Sequence, residues 1–119
     1  MLTQYDVDQF ILALKSKHPV LQVLRIELQE DGLFLQSVLI KKSQRNKGYG
    51  HAIMSEITTY ANVHQVSITL WVTDIYGSDL KRLFNFYRKN DFFLIKPDQM
   101  RYSPKPMLEV NSSNRLYKK

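Results

Sequence analysis

The chain contains no cysteine. Disulfides, thiolate metal sites and a covalent cysteine intermediate are excluded, and a reducing, cytoplasmic setting is the expectation. Glycine and proline are scarce, with four of each in 119 residues. That excludes collagen and long Gly/Pro-rich linkers. No apolar run approaches the roughly 20 residues of a membrane-spanning helix, so no membrane partner is expected. The opening Met1-Leu2-Thr3-Gln4-Tyr5-Asp6 has no basic segment and no apolar core, so no signal peptide is expected. The three histidines, His18, His51 and His64, have no metal-ligand spacing, and no metal is expected.

What remains is an ordinary globular composition: 44% hydrophobic, 24% charged and 12% aromatic. The length suits one domain with a core of its own. Seventeen basic residues against eleven acidic give a net charge of +6. Such a surface attracts phosphate, from nucleic acid down to a nucleotide-like cofactor.

Thr3 and Asp6 have the spacing of a capping box, and Val7, Phe10, Ile11 and Leu14 follow as one helical face. A helix is expected over residues 6–17, stopped by His18-Pro19. Val20–Gln29 and Leu33–Lys42 read as strands around Asp31-Gly32, a hairpin turn signal. A second helix follows to about Asn62, with Tyr49, Ala52, Ile53, Ile57, Tyr60 and Ala61 on one face. Val66, Ile68, Leu70 and Val72 alternate as a strand. After the loop Asp74–Gly77, Ser78 or Asp79 caps a third helix with Leu80, Leu83, Phe84 and Tyr87 on its face, ending near Asn90. Phe92–Ile95 and Met100–Ser103 are two closing strands. The order is α-β-β-α-β-α-β-β, a mixed α/β (α+β) sheet. Residues 1–104 form the expected single domain, and 105–119 a basic, polar, flexible tail.

The informative stretch is Arg45-Asn46-Lys47-Gly48-Tyr49-Gly50, between a strand and a helix. A helix start leaves backbone N–H groups unpaired, glycines let backbone approach a ligand, and Arg45 and Lys47 add charge. Together they describe an anion cradle, with His51 on the first helical turn. It is not a P-loop, because Gly-Lys-Ser/Thr is missing. Nor is it a Rossmann loop, because Ile53 stands where a third glycine belongs.

Arg-x-x-Gly-x-Gly after a strand resembles the acetyl-CoA pyrophosphate loop of the GNAT-superfamily N-acetyltransferases. Further features agree in order over residues 20–103: Val38 and Ile40 on the preceding strand, Leu70-Trp71-Val72, Phe86-Tyr87-Arg88-Lys89-Asn90-Asp91-Phe92, and two closing strands. The resemblance implies a largely antiparallel mixed central sheet with helices on both faces. It also implies acetyl-CoA as cosubstrate, held by Val38, Leu39, Ile40, Arg45, Asn46, Lys47, Gly48, Tyr49, Gly50 and His51. The chain departs from the family at Leu80, at Asp91 and in its short amino-terminal part, whose missing pieces often wall the acceptor site.

Acetyl transfer to an amine needs a neutral nucleophile, an oxyanion donor and help for the leaving thiolate. The resemblance places the oxyanion donor on the backbone of Val38–Ile40 and makes Tyr87 the acid. Some family members carry an acidic residue where this chain has Phe34. Glu27, Asp74 and water are the remaining bases, with no motif to choose among them. With no cysteine, the acetyl group passes directly in a ternary complex. The acceptor stays open among protein lysines, N-termini, polyamines and small amines, and the short front end favours a protein side chain. Lys81, Arg82, Arg88 and Lys89 read as a solvated outer helix face, with contact to the CoA 3′-phosphate as the sharper reading. A cofactor with three phosphates explains the charge near Arg45 without nucleic acid. The alternative is an inactive binding module of the same fold whose basic face engages nucleic acid or an acidic protein. Monomer and homodimer are equally compatible.

Overall fold

The structure, a computed structural model, describes residues 1–73 and 79–106. The expected 74–77 loop, Ser78 as a cap, Asp74 as a base and the tail from 107 onward lie outside the described residues. Helix α1 (Gln4–Lys17) begins with the expected capping box between Thr3 and Asp6. Gln4, its first residue, reaches the edge of strand β1 (Leu21–Gln29), donating to the Ile26 carbonyl and accepting from the Leu28 N–H. This polar clamp ties helix to strand and blunts an open sheet edge.

Strand β2 (Gly32–Ile40) returns antiparallel to β1, with Gln29 opposite Gly32. Helix α2 (Tyr49–His64), strand β3 (Ile68–Trp71), helix α3 (Leu80–Lys89) and strands β4 (Phe93–Lys96) and β5 (Gln99–Tyr102) complete the described elements. Asp79 caps α3, its carboxylate accepting from the Lys81 N–H. The sheet order is β1-β2-β3-β5-β4, antiparallel except between β2 and β3. The mixed sheet and element order are those expected from the sequence, and they are compatible with a GNAT-like fold. No described helix is long and apolar enough to cross a membrane.

Within that fold, the described helices are arranged differently from the expected placement on both faces. The cross-strand register puts Leu24, Ile26, Leu33, Leu35, Ile68, Leu70, Met100 and Tyr102 on one side of the sheet, and all are buried. Val7 and Leu14 of α1, Ile53, Met54, Ile57 and Ala61 of α2, and Tyr87 of α3 join the same core. The helices also meet one another. Phe10 stacks on Tyr60 between α1 and α2, and Phe86 lies against His51 between α3 and α2. They share one face because their apolar stripes and that of the sheet form a single cluster.

The stripe of α2 also differs at its start. Tyr49 and Ala52 are exposed, and Met54 is buried. The first turn presents Gly50 and Met54 inward, one turn apart, where α3 crosses it. Leu80 on α3 is exposed as well.

Glu56 on α2 binds both Lys17 and His18 at the end of α1. Hydrogen bonding from His18, then from Lys17, holds its carboxyl below the ordinary value of 4.5. A carboxyl with a depressed folded-state pKa contributes stability that is present above that ordinary value and lost as pH falls through the folded one. Glu56→Gln should therefore melt below wild type at neutral pH, with the gap closing on acidification below about pH 4. Melting curves from pH 7 to pH 3 check this; a gap independent of pH would assign Glu56 a packing role instead.

Candidate functional site

β2 and β3 pair only through Leu33 with Ile68 and Phe34 with Thr69. Beyond those pairs β2 continues to Ile40 and β3 to Trp71 with no ladder between them. The divergence opens a cleft of about 750 Å³ between the two strand ends, the start of α2 and one side of α3. That volume lies in the range of small-molecule sites.

The wedge frees backbone groups along β2. Lys41 donates its N–H to the Val20 carbonyl, toward β1. Successive residues of a strand aim their backbone groups to opposite sides, so Ile40 and Val38 turn theirs toward the wedge and Leu39 turns toward β1. Arg45 Nε donates to the Ile40 carbonyl at 3.0 Å. This tether folds the loop back over the strand end and leaves the outer guanidinium N–H groups free of that bond.

The loop then turns sharply. Asn46 (φ 66°) and Gly48 (φ 85°) are both left-handed, and Gly48 is the N-cap of α2 with no side chain to satisfy the first N–H groups. The two glycines have different tasks. A Cβ at Gly48 would meet nothing within 4 Å, so its backbone conformation is what requires glycine. A Cβ at Gly50 would lie 3.1 Å from the Phe86 ring, so this glycine lets α2 approach α3. Asn90 at the end of α3 holds the same junction, its amide 3.1 Å from His51 Nδ1 and 2.9 Å from the Phe86 carbonyl.

Val38, Leu39, Ile40, Arg45, Asn46, Gly48, Gly50, His51 and Tyr87 all line the cleft; Lys47 and Tyr49 do not and face solvent. Tyr87 is only 9% exposed, packed edge-on against Phe86 and Phe92. Burial pushes its phenol up to about 12. Among the described residues nothing hydrogen-bonds its hydroxyl.

The far wall follows the sharper of the two sequence readings of α3 rather than the solvated one. Lys81, Arg82 and Lys89 line the cleft, so three of the four cations read as a solvated outer face stand on the site, and Arg88 does not. Lys81, Asn85 and Lys89 recur every four residues, a helical stripe visible in the sequence once its partner face is known. Of the proposed bases, Glu27 is exposed, lies opposite Phe34 on β1 and does not line the cleft.

No family model and no curated protein matches this chain. Among solved structures, the crystal structure of the anti-CRISPR protein AcrVA5 matches with a TM-score of 0.58 at 20% identity, covering 67% of this chain and 87% of that one. At that identity the likeness shows a fold and nothing more. Membership of the GNAT superfamily, expected from the motifs, is thereby corrected. What is found is a likeness of fold to an anti-CRISPR protein, with no family match behind it.

Proposed function

We propose that this chain transfers an acetyl group from acetyl-CoA to an amine, directly and without an acyl-enzyme intermediate. The observation that carries the reading is the wedge between β2 and β3, with strand backbone outside any ladder along one wall and an uncapped, cation-flanked helix start at its mouth. The fit is chemical. Arg45 and the first N–H groups of α2 suit a pyrophosphate, and Lys81, Arg82 and Lys89 suit a further phosphate. The Val38 and Ile40 backbone suits the amides of an extended arm, as a neighbouring strand would.

Acetyl-CoA supplies an activated carbonyl and a thiolate leaving group. The free β2 N–H groups stabilise negative charge developing on the carbonyl oxygen. Tyr87 lines the cleft and keeps its proton at neutral pH, so its hydroxyl remains a hydrogen-bond donor. A phenol near 12 would transfer its proton to a thiolate of ordinary pKa about 8.5 only uphill. Its role is therefore hydrogen bonding to the departing sulfur. Asp79 is the one carboxylate lining the cleft among the described residues, and it accepts the Lys81 N–H as the cap of α3, so an amine acceptor sheds its proton to water.

Arg45→Ala should weaken acetyl-CoA binding roughly ten- to hundredfold, the loss typical of a charge-assisted contact. Titration calorimetry checks this. Release of free thiol from acetyl-CoA, followed with lysine peptides, amino-terminal peptides and spermidine as acceptors, tests the reaction itself. The basic surroundings favour peptides over the polycation. Binding of acetyl-CoA with no thiol release in any arm would reduce the protein to a cofactor-binding module.

A further inference from the structure

The sheet face away from the helices carries a second pattern, which meets the cleft at Trp71. Its register runs Glu27–Phe34–Thr69–Arg101–Phe93 across all five strands. Trp71 pairs with Gln99, which pairs in turn with Lys96, and Arg25 lies opposite Ser37 one step along. Among the described residues no helix covers this face. Trp71 is 46% exposed and Phe93 47%, in the middle and at the edge of the sheet. Arg101 Nε is buried with no hydrogen-bond partner among the described residues. Glu27 is the one acidic residue among these positions, against Arg25, Lys96 and Arg101.

We propose that this face binds single-stranded nucleic acid, with bases stacking on Trp71 and Phe34 and phosphates meeting Arg25, Lys96 and Arg101. Rings on adjacent central strands of an open sheet offer flat, sequence-tolerant platforms for unpaired bases. Phe34, half-buried, pairs with Thr69, so Trp71 lies one diagonal step further along the neighbouring strand, where β2 and β3 part. The cations flank the rings, and the net charge of +6 complements a polyanion. An acidic peptide would meet the same charges, but its carboxylates offer no aromatic base to stack on the exposed Trp71 ring in the sheet centre. A duplex keeps its bases stacked on one another and unavailable to the rings. Trp71 also lines the cleft, but Arg25, Lys96 and Arg101 do not, whereas the cradle's charge comes from Arg45 and α3, so binding here does not require acetyl-CoA.

Trp71 is the only tryptophan in the chain, which makes the protein its own reporter. Titration with short oligo(dT) or oligo(U), without acetyl-CoA, is expected to quench its fluorescence saturably. Three phosphate contacts predict a log–log salt slope of about −2 for a single strand. Trp71→Ala should weaken binding of a labelled oligonucleotide by about tenfold or more, read by anisotropy, while Trp71→Phe retains most of it. Three results would overturn the proposal: no quenching at low salt, anisotropy binding indifferent to Trp71→Ala, or equal quenching by poly-glutamate. The last would assign the face to an acidic protein partner.

Discussion

Tyr87→Phe is expected to lower acetyl transfer roughly a hundredfold while leaving acetyl-CoA affinity within about twofold. The substitution removes one hydroxyl and keeps the ring that packs against Phe86 and Phe92. The fold and cleft wall should therefore persist, and only the hydroxyl donor is lost. Because no described residue bonds that hydroxyl, its removal strands no partner in the core, and the melting temperature should hold or rise slightly. The pH dependence separates this role from that of a titrating acid. With its phenol raised to about 12, Tyr87 stays protonated across the working range and imposes no alkaline limb on the rate below about pH 11. Stopped thiol-release assays from pH 6 to pH 10 read both quantities. Unchanged turnover in Tyr87→Phe would return the residue to a purely aromatic role in the core.

Gly32→Ala is expected to destabilise the fold by about 3 kcal/mol or more, the sum of backbone strain and overpacking. Gly32 has φ 138°, which side-chain-bearing residues rarely adopt, and an added Cβ would sit 2.6 Å from the Ser67 carbonyl oxygen. That carbonyl accepts the Leu33 N–H at 2.8 Å, the bond that starts the parallel junction of β2 and β3. The clash is with backbone, so it cannot relax by rotating a side chain. Because β2 meets β3 only over Leu33 and Phe34, displacing this corner should also disturb the wedge. The drop in melting temperature should be about 10 °C or more for a domain of this size. A change of only a degree or two would show that the corner relaxes freely.

Asp31-Gly32 was legible as a turn because Asp-Gly between two strands is a local signal. The second duty of Gly32, admitting the Ser67 carbonyl, is a contact between distant parts of the chain and leaves no local trace. The capping box at Thr3 and Asp6 and the alternation of β3 were legible for the same local reason. The cradle was legible from Arg45 to Gly50, yet the side-chain direction of Gly50 is filled by Phe86, a pairing between two helices that no spacing reveals. Lys81, Arg82 and Lys89 read as solvated because exposure and cleft-lining look alike on one helix; only the crossing of α3 over α2 distinguishes them. The helices' common face was not legible either. The alternation of β3 set Trp71 off the apolar face, but nothing local tells an exposed aromatic there from a covered one.

The proposed reaction requires a wedge and cradle that hold acetyl-CoA, and the melting temperature in the presence of acetyl-CoA and of CoA tests that requirement most directly. Ligand at a hundred times its dissociation constant stabilises a folded protein by about 2.7 kcal/mol. The predicted result is a rise of roughly 10 °C with either ligand, cut to roughly 2–6 °C in Arg45→Ala at the same concentration. No shift with either acetyl-CoA or CoA would contradict it.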